Sequence, residues 1–141
     1  MQNNICRVVI DTNVWISFLI GKRLQRLLHY VLDERVVIVT CNAQIRELTR
    51  VLKKPKIKKL VQDSQISSFF TFLTEQAQVI PITTITNLCR DPKDNYLLSL
   101  SIDANANYLI SGDDDLLVLQ QINGTSIINF TDFDVIMSNL K

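Results

Sequence analysis

Short runs rich in β-branched residues recur along the chain, and longer helical patterns separate them. The runs are ICRVVI (5–10), VVIVT (36–40), QVIPI (78–82), NYLI (107–110) and TSII (125–128). They are nearly continuous in apolar residues, as strands buried on both faces are. Parallel neighbours need a crossover of a dozen or more residues, usually helical, and the segments between the runs supply it. The pattern therefore predicts an α/β fold, a parallel sheet with helices on both faces.

The connecting segments carry helix signals. Asp11, Thr12 or Asn13 can cap the run after the first strand, and Gly21 interrupts that run. RLQRLLHYVLDE (23–34) continues as a second helix. Asn42 can cap a helix that runs through Leu52, and Pro55 then breaks it. Residues 56–76 read as two more helices. DPKDNYLLSLSIDANA (91–106) reads as a helix opening with Pro92, and DDLLVLQQ (114–121) as a short one. TDFDVIMSNL (131–140) closes the chain with Thr131 as its cap. Trp15 and Phe18 are core candidates.

A chain of 141 residues fits one domain, 1–141, with a core that needs no staples. The net charge of +1 leaves no global basic field, so any nucleic-acid signal has to be local. Cys6, Cys41 and Cys89 are far apart and form no CxxC, and His29 is the only histidine. That argues against a zinc site or a disulfide framework and for a reducing cytoplasm. No apolar run approaches the ~18 residues of a membrane span, and the N-terminus lacks a basic segment followed by a long apolar one. Neither a membrane span nor a signal peptide is expected.

In open α/β sheets, sites form beyond the carboxyl ends of the strands. Asp11 follows RVVI directly, and Asp113 follows NYLIS after one glycine. Glu47 lies on the flank of the apolar face of the helix after VVIVT. Side chains on a helix lean toward its N-terminus, so Glu47 can reach back to the sheet edge. Asp94 falls in the middle of the apolar arc of its helix, beside Leu98 and Ser101. Asp103 falls on the opposite side and reads as solvated.

Each acid also has a purely structural reading. Asp91 fits a helix cap, Asp113 fits a second, and Asp11 fits an Asx turn. Four acids converging on one edge without obvious cationic partners require protonation or a bound cation. An all-oxygen donor set selects Mg²⁺ or Mn²⁺ rather than zinc. In SGDDDLL (111–117), Asp113 is the preferred ligand and Asp115 a second candidate, while Asp114 faces solvent.

The stretches VVIDTNVWIS, IRELTRVL, CRDPKDNYLLSLSIDANANYLISGDDDLL and IINFTDF resemble, in order and spacing, the PIN domain family. The resemblance is to bacterial members that are toxin components of toxin–antitoxin pairs. It implies a three-layer α/β/α sandwich with a parallel, roughly five-stranded sheet. It implies a Mg²⁺- or Mn²⁺-dependent ribonuclease with a small antitoxin protein as partner. Its acidic quartet maps onto Asp11, Glu47, Asp94 and Asp113, with Asp115 and Asp91 at positions often acidic. Thr12, Asn13 and Ser111 match small polar positions that support the site. A homodimer is expected.

Such a site suits phosphodiester hydrolysis with water as nucleophile. Contact with RNA calls for local cations. RVLKKPKIKKL (50–60) offers Arg50, Lys53, Lys54, Lys56, Lys58 and Lys59, and Lys22 and Arg23 are further candidates. A haloacid-dehalogenase-type phosphotransferase would need an acid where Asn13 stands. The rival from another class is an inactive PIN scaffold that binds RNA or a protein.

Overall fold

The computed structural model describes residues 5–21 and 23–139. Its sheet has six strands: β1 (Cys6–Ile10), β2 (Val36–Thr40), β3 (Gln78–Val79), β4 (Tyr108–Ile110), β5 (Gln121–Ile122) and β6 (Thr125–Ile128). Their order across the sheet is β3-β2-β1-β4-β6-β5. All neighbours pair in parallel except β5 and β6, which pair antiparallel. The five expected strands are present. The third is shorter than QVIPI, and the sixth was not anticipated.

That sixth strand replaces part of an expected helix. The helix after Asp113, α7 (Asp114–Leu117), stops at Leu117 rather than reaching Gln121. Gln120 then takes φ 64, and Gln121–Ile122 pairs back on Ser126–Thr125 across the Asn123-Gly124 turn. Asn123 itself takes φ 51, a left-handed conformation that asparagine tolerates better than most residues.

Alternation along the strands sends residues to two separate cores. Val8, Ile10, Ile38 and Ile110 enter one layer with Trp15, Leu48, Phe69 and Phe133. Val9, Val39, Leu109 and Ile127 enter the other with Leu97, Leu98, Leu100 and Leu116. Helices therefore cover both faces. α1 (Thr12–Gly21), α2 (Leu24–Leu32), α3 (Asn42–Leu52), α5 (Asp63–Gln76) and α8 (Phe130–Asn139) contribute to the first layer. α6 (Asn95–Asp103) and α7 contribute to the second. The short α4 (Pro55–Lys58) starts at Pro55, where the missing N–H costs nothing. Trp15 and Phe18 are buried as expected.

Three helix starts differ from the sequence reading. The position before α3 is Cys41, and Asn42 is the first helical residue, with no side-chain cap bond. Pro92–Asp94 forms a 3-10 turn, and α6 proper begins at Asn95. At α8 the cap is Asn129, whose Oδ1 accepts the Asp132 N–H at 2.8 Å, while Thr131 lies inside the helix.

Asp103 is not simply solvated. It accepts the backbone N–H groups of Thr83 (2.6 Å) and Thr84 (3.0 Å) and both threonine hydroxyls. It thereby fastens the irregular strap between β3 and α6. Among the described residues no helix is long and apolar enough to cross a membrane.

Candidate active site

The strand order reverses direction at β1. From β1 the chain proceeds to β2 and β3 on one side, then to β4 and β6 on the other. In doubly wound sheets the crevice at such a switch point lies outside the carboxyl ends of the two central strands. Here those ends carry Asp11 and Ser111.

Asp11 is 4% exposed, and its backbone N–H still donates to Ile110 O at 2.9 Å. Its Oδ1 accepts the Asn13 N–H at 3.2 Å at the start of α1. Its Oδ2 accepts the Ser111 hydroxyl at 2.8 Å. Ser111 Oγ in turn accepts the Asp113 N–H at 3.0 Å. Asp113 Oδ1 caps α7 by accepting the Asp115 N–H at 2.9 Å. Both structural roles considered for Asp11 and Asp113 are thus present, and both acids also belong to a larger acidic group. Burial pushes the Asp11 carboxyl above the usual range, opposed by the Ser111 and Asn13 bonds and assisted by the charges of Asp113 and Glu47.

Asp94 enters from the 3-10 turn and is 8% exposed. The capping there is done by Asp91, which accepts the Lys93 N–H at 3.3 Å and lies 3.7 Å from the Lys93 ammonium. Asp94 makes no cap bond. Its carboxyl is pushed up to about 7, first by burial, then by the charges of Asp11, Asp113 and Asp91, and by a proton shared with Asp113. Asp94 therefore lies within the charge field of Asp11 and Asp113.

Glu47 comes from α3. Its Oε1 accepts two hydroxyl protons, from Thr12 at 2.7 Å and from Tyr96 at 2.6 Å. The Thr12 and Tyr96 oxygens are 3.1 Å apart. Behind Thr12 sits Gln44, fully buried. Its amide donates to Ile10 O and reaches Thr12 Oγ1 at 3.5 Å, while its carbonyl accepts the Thr40 hydroxyl at 2.7 Å. Tyr96 and Gln44 are absent from the site read from the sequence. For Gln44 a signal existed: it shares the i, i+4, i+8 stripe with Leu48 and Leu52. For Tyr96 there was none.

The remaining candidates are dispersed. Asp114 is exposed. Asp115 pairs with the Arg90 guanidinium at 2.9 Å, a cationic partner that the sequence reading did not identify. Arg50, Lys53, Lys54, Lys56, Lys58 and Lys59 are exposed, and Lys58 stands 3.9 Å from Asp63. With a helical rise of ~1.5 Å per residue, Lys53 lies about 9 Å further along α3 than Glu47. Arg23 is exposed, with its guanidinium 6.0 Å from the Phe130 ring centre. Lys22 lies outside the described residues.

Among the described residues no three His, Cys, Asp or Glu groups are gathered tightly enough to ligate one ion as they stand. The donor chemistry nevertheless fits a hard divalent cation. The acids present oxygen only, two of them are buried, and Asp94 holds a proton near neutrality under its neighbours' charge. A separate groove of about 450 Å³ between α1, α2 and α5, lined by Phe18, Leu24, Leu28, Phe69 and Phe72, contains none of these acids.

A PIN domain family model matches residues 7–115, a span that includes all four acids. The chain belongs to the PIN domain family. An uncharacterized protein of Methanocaldococcus jannaschii is 32% identical to this PIN domain over 126 residues, covering 87% of this chain and 81% of the relative. Among solved structures, the fold matches a chain of VapBC2 from Rickettsia felis, a complex bound to a DNA fragment from its promoter. That match has a TM-score of 0.55 and 17% identity, and covers 87% of this PIN domain and 98% of the other chain.

Proposed function

We propose that this PIN domain is an endoribonuclease that hydrolyses RNA phosphodiester bonds with Mg²⁺ or Mn²⁺. In this reading it is a cytoplasmic toxin, held in check by a small antitoxin protein and assembled as a homodimer. The observation that carries the reading is the placement of Asp94, a buried acid from a third segment set in the charge field of Asp11 and Asp113 at the switch point of the sheet. Burying a carboxylate among carboxylates is unfavourable unless a proton or a cation compensates. The antitoxin part draws on the fold shared with a chain of a VapBC complex.

Asp11, Glu47, Asp94 and Asp113 would hold the metal, with Asp115 and Asp91 as further candidates. When bound, the ion supplies a water of lowered pKa and offsets charge on the transferring phosphate. Ser111 keeps Asp11 and Asp113 at a fixed separation, and Thr12 keeps Glu47 at the β1 end. Asn13 contributes its N–H to Asp11. The cations of 50–59, with Lys22 and Arg23, would contact phosphates.

The test is cleavage of a labelled RNA by the purified chain. Cleavage with Mn²⁺ that is abolished by EDTA and by Asp11→Asn is expected. RNA binding without cleavage in any divalent metal would instead favour an inactive binding scaffold.

A further inference from the structure

The polar groups around Glu47 form one directed hydrogen-bond chain. The Thr40 hydroxyl donates to Gln44 Oε1, and the Gln44 amide is directed at Ile10 O and Thr12 Oγ1. A Thr12 oxygen facing that donor keeps its own proton for Glu47, where the contact is 2.7 Å. Tyr96 delivers a second proton to the same Glu47 oxygen at 2.6 Å. Both hydroxyls are committed to the carboxylate, so their mutual 3.1 Å contact is proximity rather than a competing bond.

Among the described residues, Glu47 Oε2 has no hydrogen-bond partner. Charge-assisted bonds of this length are the stronger kind. Two of them on one oxygen fix the carboxylate plane, and with it the direction of the free oxygen. The anchors come from α1, α3 and α6, three elements separated by 35 and 49 residues along the chain. Tyr96 is half-buried and packs against the second core cluster, which includes Leu97, Leu98 and Leu100.

We propose that Tyr96, supported by the Gln44–Thr12 relay, is a positioning residue that holds Glu47 with Oε2 free for a divalent cation. The proposal rests on the metal-site reading above. It does not need Tyr96 to touch metal or RNA.

The test uses the full chain and Tyr96→Phe, which removes one oxygen and keeps the ring. Thr12→Val and Thr12→Ser serve as a second pair, the serine retaining the hydroxyl. In the metal-free protein, the ¹³C carboxyl resonance of Glu47, assigned with Glu47→Gln, is expected to move in Tyr96→Phe and Thr12→Val and to stay in Thr12→Ser. Mn²⁺ affinity by calorimetry is expected to fall about tenfold in the first two variants, the usual loss when a ligand's outer partner is removed. The melting temperature of Tyr96→Phe should fall by only the few degrees that one lost charge-assisted bond accounts for, which separates positioning from collapse of the packing. An unmoved Glu47 resonance, or full Mn²⁺ affinity in Tyr96→Phe, overturns the proposal. If the parent itself binds no Mn²⁺, the metal-site reading fails, and the carboxyl resonance alone still decides whether Tyr96 holds Glu47.

Discussion

Ser111 donates its hydroxyl to Asp11 across the β4–β1 boundary while accepting the backbone N–H of Asp113. One oxygen thus joins the two acids that leave the sheet at its switch point. Ser111→Ala should leave the Asp113 N–H without its acceptor and the Asp11 carboxylate without its donor. A loss of about 1–3 kcal/mol is expected for such buried groups, measured as a shift of the urea midpoint without a change in slope. The Mn²⁺-induced rise in melting temperature should shrink in the same variant.

Asp94→Asn should leave the metal-free protein as stable as the parent or more stable. The substitution removes a buried acid repelled by Asp11 and Asp113 and deletes no cap bond, since Asp91 does the capping. In the parent, Mg²⁺ or Mn²⁺ should raise the melting temperature, because the ion binds the folded state only. That rise should disappear in Asp94→Asn. A large loss of metal-free stability would contradict this account.

The strap at Thr83 and Thr84 should release at low pH. The side-chain and backbone bonds from Thr84, then those from Thr83, hold the Asp103 carboxyl below the usual carboxylate range. The folded value is depressed, so this stabilisation is present above the ordinary carboxylate pKa of ~3.9 and is lost as pH falls through the lower folded value. Amide exchange at Thr83 and Thr84 should therefore stay slow at pH 5. It should lose its protection only below pH ~3.9. Asp103→Asn should abolish that pH dependence.

Changing Lys53, Lys54, Lys56, Lys58 and Lys59 together to Gln should weaken RNA binding and flatten its dependence on salt. Each phosphate contact releases condensed counterions, so the slope of log K against log salt reports the number of contacts. Mn²⁺ affinity should be unchanged, as none of these residues is a candidate ligand. Unchanged RNA affinity and slope would leave the run as a solvated face and direct attention to Arg23 and Lys22.

Local signals make much of this molecule legible in its sequence. The β-branched runs read as strands because they are too short for stable helices, are bounded by turn residues and carry the branched side chains that pack well on a pleated surface. Asp11 and Asp113 stand out by their closeness to the carboxyl ends of those runs, and Asp94 by its place in an apolar arc that an uncompensated carboxylate would not occupy. Asp91 before Pro92 is readable as a cap because capping involves neighbours two or three residues away. The Asn123-Gly124 turn is equally local, and it marks the hairpin that the helical reading of Gln120 and Gln121 obscured.

Tertiary structure alone decided which side chains face one another. The order β3-β2-β1-β4-β6-β5 places β4 beside β1, bringing Ser111 to Asp11 over a separation of 100 residues. Tyr96 reaches Glu47 across 49 residues, and Asp103 reaches a strap that carries no regular structure. The Arg90–Asp115 pair likewise closes over a separation that no helical period spans. Composition and periodicity indicate what most segments become, since propensity, capping and burial act within a few residues, but not where the helix after Asp113 yields to a hairpin. Partnership between segments depends on strand order and helix rotation, which are settled by packing two cores against one sheet.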